Sequence, residues 1–230
     1  MPPRILNPRE VPAIGTDVHL PAVPPEALQA QAQRERFARG LAWQPEFSGD
    51  GRIFAERTPS AASVLIALVQ REAGLQVLLT QRTDHLRDHA GQVSFPGGRA
   101  EPGDAGPAAT ALREAEEEVG LPRDHAEVIG LLPTYNTVTS FIVTPVVALV
   151  RPPLVLTLDH GEVAEAFEVP LAWLMNPANH HRHVVEWGGL RRQFLSMPWS
   201  AVGADGVQRE HFIWGATAAM LRNLYRFLAA

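Results

Sequence analysis

The 230-residue chain contains no cysteine and no lysine. Without cysteine it can form no disulfide bond, no thiolate zinc site and no cysteine nucleophile, so mechanisms that need one are excluded. It also has no apolar run near the ~18 residues that a membrane-spanning helix requires, and its first residues contain no apolar signal core. We therefore expect a cytoplasmic protein without a membrane partner.

Positive charge is scarce as well: 20 arginines face 25 acidic residues, which gives a net charge of −5. Non-specific nucleic-acid binding depends on a positive field, so we expect no nucleic-acid partner. The acidic excess is local, because residues 101–118 hold six acids and one arginine and the rest of the chain is formally neutral. An anionic small molecule stays compatible with this charge, since local arginines or a bound metal can reverse the field inside a pocket.

The chain divides into a short N-terminal region and one main domain. Six prolines and few periodic apolar positions in residues 1–24 predict an extended arm, and residues 25–39 predict a helix that ends at Gly40. We therefore assign residues 1–58 to an N-terminal arm and helix and residues 59–230 to the main domain. The 46% hydrophobic content is enough for one substantial core.

Short apolar runs in the main domain predict β-strands. The predicted strands are 63–69, 75–80, 128–132, 141–150, 183–187 and 192–197. The first two flank a turn and the last two flank Gly188-Gly189, so each pair predicts a hairpin. Pro145 predicts a bulge or an edge position for strand 141–150. Helices are predicted at 171–175 and 216–228, and the irregular alternation of elements favours a mixed sheet between helices, an α/β fold.

The most informative segment is a Gly/Pro-rich loop, 95–104, followed by an acidic helix. Pro107 suits the start of this helix and Gly120 its end. One face is apolar and consists of Ala108, Ala111, Leu112, Ala115 and Val119. The opposite side carries three carboxylates at positions i, i+3 and i+4, those of Glu114, Glu117 and Glu118.

Three carboxylates on one helix face repel one another unless a positive charge neutralises them. Mg²⁺ or Mn²⁺ is suited to this, because hard cations prefer oxygen ligands and are often shared with phosphates. The alternative interpretation is a solvated, glutamate-rich face. The preceding Gly97-Gly98 loop and the Arg113-Glu114 pair favour the metal interpretation.

The segment resembles the Nudix box, G-x5-E-x7-R-E-U-x-E-E-x-G-U, in which U is a bulky aliphatic residue. The resemblance rests on Gly98, Asp104 and the run from Arg113 to Leu121, with Asp104 in place of Glu and one additional residue before Arg113. It implies a Nudix-type α/β/α sandwich with a mixed β-sheet, whose loop-helix-loop binds a divalent metal and a diphosphate. Residues 59–230 would then form a Nudix hydrolase domain.

A second signature precedes the box. Residues 78–98 resemble LLTxR-[SA]-x3-R-x3-G-x3-FPGG, which marks Nudix enzymes acting on coenzyme A, and only Thr83 departs from it. The candidate substrate-binding residues are Arg82, Arg87, Gly91, Gly97 and Gly98. Arginine forks suit phosphate oxygens, although these arginines could instead pair with surface acids, and the glycines allow close backbone approach. The similarity covers roughly residues 60–228.

The resemblance implies attack of water on a phosphorus of the P–O–P bridge, with Mg²⁺ or Mn²⁺ held by Glu114, Glu117 and Glu118. Coenzyme A, or an acyl-CoA, would give 3′,5′-ADP and 4′-phosphopantetheine or its acyl form. Arg113 is expected to orient the carboxylates. Glu162 is the candidate general base, Glu165 is the second candidate, and a box glutamate is a third possibility.

Two other functions stay open. The same box serves enzymes that act on ADP-ribose, NADH or dinucleoside polyphosphates, and a non-catalytic Nudix domain would sense a nucleotide instead. In each case the partner is a small molecule, and the chain could be a monomer or a homodimer. The histidines of residues 180–183 do not share a face and predict a polar loop rather than a metal site, and His85 and His89 are likewise assigned to a loop.

Overall fold

The computed structural model describes residues 7–40, 42–49, 58–85, 91–187, 190–202 and 206–230. These residues form twelve strands and four α-helices. The strands are β1 Ala13–Thr16, β2 Ser60–Arg71, β3 Gly74–Arg82, β4 Val93–Ser94, β5 Gly97–Arg99, β6 Ala126–Leu131, β7 Tyr135–Asn136, β8 Phe141–Val150, β9 Val163–Pro170, β10 His181–Trp187, β11 Leu190–Val202 and β12 Gln208–Trp214. The helices are α1 Ala30–Ala38, α2 Pro107–Val119, α3 Leu171–Leu174 and α4 Gly215–Ala229. No described helix is long and apolar enough to cross a membrane.

The main sheet is mixed and has helices on both faces. Its central order is β4-β3-β2-β8-β6, while β5 pairs with β2, β7 with β8 and β9 with β3. Strands β2 and β8 run parallel, and the other pairs run antiparallel. Alternate residues of β2 pack against α2 on one face and into the core around α4 on the other. The predicted α/β fold with a mixed sheet between helices is confirmed.

The hairpin predicted around Gly188-Gly189 forms, but it belongs to a separate sheet. Strands β10 and β11 pair with β1 and β12 in the order β1-β10-β11-β12, and all of these pairs are antiparallel. The two glycines themselves lie outside the described residues. The inner face of this second sheet packs against α4 through Leu195, Met197 and Ile213. Sequence analysis predicted neither the second sheet nor β12.

The edge or bulge predicted at Pro145 is wrong. Strand β8 is an interior strand, and Pro145 lies opposite Val64 of β2. On its other side β8 pairs first with β7 and then with β6, and Pro145 lies between these two segments. Its carbonyl accepts a hydrogen bond from Leu132 at 3.0 Å. The missing proline N–H therefore costs no ladder hydrogen bond, and the irregularity lies in β6, between Val128 and Gly130.

Two other local predictions need correction. The helix predicted at 25–39 is two segments, a 3₁₀ turn at Pro25–Leu28 and α1, because Gln29 between them is extended. The polar loop predicted at residues 180–183 is wrong, since His181 begins strand β10. His180 is fully buried, and its Nε2 lies 2.7 Å from the carbonyl of Leu174.

A buried ion cluster attaches the N-terminal region to the rest of the chain. Asp17 lies 2.7 Å from Arg182 and 3.1 Å from Arg222, and Glu46 lies 2.7 Å from each of the same two arginines. Burial opposes ionisation of Asp17, but the hydrogen bond from Arg182 and the charge of Arg222 outweigh it and lower the pKa. Asp17 and Glu46 thus join the N-terminal region to the main domain, and the boundary at residue 58 stays a prediction.

Replacing Arg222 should destabilise the protein strongly. In Arg222→Met the Asp17 carboxylate keeps only one of its two arginine partners in a buried position, which we expect to cost roughly 3 kcal/mol. Arg226 lies on the exposed side of the same helix, so Arg226→Met should change stability by less than about 0.5 kcal/mol. Urea unfolding measures both, and equal midpoints for the two variants would contradict the importance of the cluster.

Candidate active site

The candidate site lies where the main sheet splits. Strand β2 pairs with β3 only over residues 68–71, and the far end of β3 pairs with β4 instead. The loop at 95–96 crosses this split: Phe95 is buried and the carbonyl of Pro96 accepts from Leu65 at 2.8 Å. Gly97 is in the positive-φ region at +154°, and a Cβ there would lie 2.4 Å from the carbonyl oxygen of Ser63. Only glycine fits this crossing.

Helix α2 follows this loop and presents the acidic side chains. It begins with Pro107 at its first turn and ends at Gly120, which is left-handed (φ 67°) and closes the helix. Ala111, Ala115 and Val119 are fully buried, as the apolar stripe predicts.

The three glutamates do not share one solvent-facing side. Glu117 is exposed over 58% of its side chain, whereas Glu118 is only 6% exposed as a residue. The reason is helical geometry: Glu118 lies three residues after the buried Ala115 and therefore borders the apolar stripe. Glu117 therefore lies on the helix face opposite the apolar stripe, as predicted, but Glu118 does not.

Glu118 is held by the glycine loop. Its Oε2 accepts from the backbone N–H of Gly97 at 3.1 Å, and its Oε1 lies 3.8 Å from the Arg82 guanidinium. Burial raises the pKa of Glu118 to about 7; the neighbouring charges of Glu114 and Glu162 add to this effect, and the hydrogen bond from Gly97 opposes it. Burial also raises the pKa of Glu114. The site therefore holds two carboxylates whose charged forms are disfavoured by burial.

Arg113 binds three acids at once. It lies 3.1 Å from Asp104, 3.0 Å from Glu114 and 2.9 Å from Glu117. The hydrogen bonds from Arg113 hold the pKa of Asp104 well below its usual range. Asp104 thus meets Arg113 despite the additional residue between them, and it is itself fixed by Thr110 at 2.9 Å. Sequence analysis missed Thr110, whose only signal was its place in the first turn of the helix.

Gly98 lies directly against Glu114. A Cβ on Gly98 would lie 2.6 Å from the Glu114 carboxyl carbon and from both of its oxygens. Those distances are well inside van der Waals contact. The absence of a side chain at residue 98 therefore lets the carboxylate reach the loop.

Only some of the candidate residues from the second signature lie at this site in the described structure. Arg82, at the end of β3, lies 3.8 Å from Glu118 and 3.9 Å from Glu162, so the structure brings the candidate base close to the helix. Glu165 points elsewhere and contacts His211 at 3.0 Å. Gly91 has a φ of +66° in the loop ahead of β4. Arg87 and His89 fall in residues 86–90, outside the described residues.

The residues present fit a hard divalent cation by their chemistry. Glu114, Glu117, Glu118 and Glu162 offer only oxygen donors, and burial and mutual repulsion raise the pKa of Glu114 and Glu118, a strain that a cation relieves. Within the described parts of the chain, no three acidic or histidine side chains already form a metal-sized cluster. Arg113 instead holds two of these carboxylates.

A mixed sheet split by a glycine loop, followed by an arginine-bound glutamate helix, defines a Nudix-type hydrolase site. The family model of the NUDIX domain matches residues 59–188, more than half of the chain. The chain is also 44% identical over 165 residues to the "Uncharacterized Nudix hydrolase NudL" of Escherichia coli (strain K12), which covers 71% of this chain and 80% of that protein. The protein of the same name from Shigella boydii serotype 18 gives the same values.

The chain therefore belongs to the Nudix family and is a Nudix hydrolase. Nudix hydrolases generally use divalent metals such as Mg²⁺ or Mn²⁺. Among solved structures, a C. elegans Ap4A hydrolase is 20% identical, with a TM-score of 0.43, over 51% of this chain and 85% of that one. The roles of the individual site residues stay predictions.

Adding one methyl group at residue 98 should displace the Glu114 carboxylate. We expect Gly98→Ala to weaken Mn²⁺ binding by roughly 10-fold or more, because a ligand must move away from the clashing Cβ. Gly103→Ala is the matched control, since a Cβ there meets no atom within 4 Å. Calorimetric titration with Mn²⁺ measures both, and equal affinities would refute a role for Gly98 in placing Glu114.

The raised pKa of Glu118 predicts a pH-dependent stability. Its ordinary value is 4.5 and its value in the fold is about 7, so the folded state binds more protons between these pH values and stability falls as the pH rises through them. Without metal, Glu118→Gln should therefore stabilise the protein at pH 8, by at most roughly 3 kcal/mol, and have little effect at pH 4.

Thermal melting at both pH values checks this, with Glu116→Gln on the exposed side of α2 as the control. A Glu118→Gln variant that melts lower than the wild type at pH 8 would show that the charged carboxylate stabilises the fold. Added Mg²⁺ should raise the melting temperature of the wild type at pH 8 more than that of Glu118→Gln.

Proposed function

We propose that the protein hydrolyses the diphosphate bond of coenzyme A, or of an acyl-CoA, to 3′,5′-ADP and 4′-phosphopantetheine or its acyl form. One observation carries this proposal: residues 78–98, which resemble the coenzyme A signature, meet the box at a single carboxylate. Arg82 from the signature strand and the N–H of Gly97 from its loop both approach Glu118. These contacts support a single site for the two motifs.

The binding of a diphosphate follows from the charges in the site. Arg82 is 26% exposed, so its guanidinium can donate hydrogen bonds to a phosphate oxygen while it stays near Glu118. Gly97 and Gly98 leave the backbone of the loop open to close approach. Glu114, Glu117 and Glu118 would hold Mg²⁺ or Mn²⁺ beside it. When bound, this cation supplies charge that offsets that of the transition state and acidifies the attacking water.

The chain's own residues then perform the proton transfer and the positioning. The water oxygen forms a bond to one phosphorus, the P–O bond to the bridging oxygen breaks, and that oxygen leaves on the other phosphate. In this proposal Glu162 takes the water proton; its carboxylate lies 3.9 Å from Arg82, which also contacts Glu118 at 3.8 Å. Arg113 keeps Glu114 and Glu117 in position through its contacts of 3.0 and 2.9 Å.

All three box glutamates are present, and burial disfavours the charged forms of Glu114 and Glu118 unless a cation binds, which supports a metal-dependent enzyme rather than a nucleotide sensor. The partner is a small molecule. No nucleic-acid partner, no membrane partner and a cytoplasmic location complete the proposal.

A substrate panel tests the proposal. The protein is incubated with Mg²⁺ or Mn²⁺ and with coenzyme A, an acyl-CoA, ADP-ribose, NADH or a dinucleoside polyphosphate, and the products are separated by chromatography. We expect coenzyme A or its thioester to be turned over fastest, with 3′,5′-ADP as a product. Turnover of another member without any cleavage of coenzyme A would refute the substrate but keep the reaction.

A pair of variants on one helix tests the metal ligands. Glu117→Gln should lower kcat by at least roughly 100-fold, because the amide is a poor ligand for a hard cation. Glu116→Gln, one residue away and paired with Arg123 at the surface, should leave kcat unchanged. Full activity of Glu117→Gln would show that the box carboxylates do not act as proposed.

A further inference from the structure

The face of β3 opposite Arg82 carries a second set of polar groups. Consecutive strand residues point to opposite faces, so Gln81 faces away from α2. Its direct neighbours across the sheet are Val93 on β4 and Glu165 on β9. Val93 belongs to the core cluster around α4, which confirms that this row faces α4 and the second sheet.

His211, from strand β12 of the second sheet, fixes Glu165 in this row. A carboxylate only accepts hydrogen bonds, so His211 Nε2 donates to Glu165 Oε2, at 3.0 Å. The imidazole ring stacks on Phe167 with 3.7 Å between the ring centroids. His211 is 4% exposed and Glu165 is 38% exposed, so the carboxylate is anchored from the inside and open on the outside.

The hydrogen-bonding capacity of this row is largely unused. Among the described residues, Glu165 Oε1 and the side-chain amide of Gln81 have no hydrogen-bond partner. Both side chains are partly exposed. Glu165 and Gln81 lie opposite each other on paired strands. The carboxylate can accept from a donor and the amide can donate to an acceptor, so the two can together bind one group that has a donor next to an acceptor.

The pair adds little to the stability of the fold itself. His211 Nδ1 is buried and has no hydrogen-bond partner among the residues that the structure describes. An unpaired buried nitrogen costs free energy that a hydrocarbon side chain at this position would avoid. The other nitrogen of His211 bonds to a carboxylate that solvent reaches, a kind of contact that contributes little. The effect of this buried histidine is therefore to fix the position of Glu165.

We infer that Gln81 and Glu165 form a second binding site, for the part of the substrate beyond its diphosphate, and that it recognises an N–H group next to an acceptor. This inference rests on the proposed function. Glu165 Oε1 accepts the N–H, Gln81 donates to the neighbouring acceptor, and His211 is a positioning residue. The amino edge of adenine and the amide groups of 4′-phosphopantetheine both have this chemistry.

The inferred site adjoins Arg82, the residue proposed to bind the diphosphate. Gln81 and Arg82 are consecutive on β3, and Arg82 contacts Glu118 and Glu162 on the other face. The strand ends at Arg82. A substrate held at Arg82 would pass the end of β3 to reach Gln81 and Glu165 on the other face.

Glu165→Gln tests the site by kinetics. In this variant the His211 Nε2–H still donates to the amide oxygen of the new side chain. The NH₂ group then faces the N–H of the substrate, so two donors oppose each other. KM should therefore rise about 10- to 100-fold with kcat unchanged. Glu168→Gln is the control, because it lies on the same strand and pairs with Arg71, at 2.9 Å. An unchanged KM in a folded Glu165→Gln variant would overturn the inference.

His211 is tested by rescue. His211→Leu should raise KM as Glu165→Gln does, and His211→Gln, whose amide can still donate to Glu165, should recover part of the loss. Thermal melting of each variant separates unfolding from the loss of positioning. If both His211 variants kept the wild-type KM, His211 would have no positioning role.

Binding of the two products identifies the group recognised, independently of hydrolysis. Calorimetry measures the affinities of 3′,5′-ADP and of 4′-phosphopantetheine for the wild type and for Glu165→Gln. Weaker binding of only one of them by the variant assigns the site to adenine or to the pantetheine amides. If neither product binds the wild type, or if both bind the variant equally well, the inference fails. A wild type that cleaves no member of the substrate panel would refute the proposed function instead.

Discussion

The candidate site depends on the pairing of Arg113 with the acids around it. Helix α2 places Glu114, Glu117 and Glu118 within about one turn, where their charges oppose one another. Arg113 neutralises two of them and also holds Asp104, while the loop N–H of Gly97 binds the third. One guanidinium therefore connects the loop before the helix with the carboxylates on it, and the rest of the site is arranged around this contact.

Much of this could be predicted from the sequence, because the signals are local. The start and end of α2, its apolar stripe and the hairpin of β2 and β3 follow from periodicity and from the positions of Pro107 and Gly120. The mixed character of the main sheet followed from the irregular order of elements. These features depend on residues within a few turns or strands of one another, so tertiary packing had little opportunity to override them.

The parts that could not be predicted depend on contacts between distant residues. The place of Glu118 beside the apolar stripe indicates its burial, but its hydrogen bond from Gly97 could not be predicted, since this depends on the position of Gly97 in the split sheet. The His211–Glu165 pair joins residues 46 positions apart. The second sheet pairs β1 with β10, for example Ala13 with His183. Pro145 was assigned to an edge because local rules cannot know that β8 changes its partner there.

The ion cluster of Asp17, Glu46, Arg182 and Arg222 joins residues that lie far apart in the chain. The family match spans residues 59–188, yet three of these four side chains lie outside it, on both sides. Removing either flank would leave charges without partners in the interior. The smallest segment that keeps the cluster complete therefore extends from residue 17 to residue 222, and the buried contacts of the fold reach beyond the limits of family similarity.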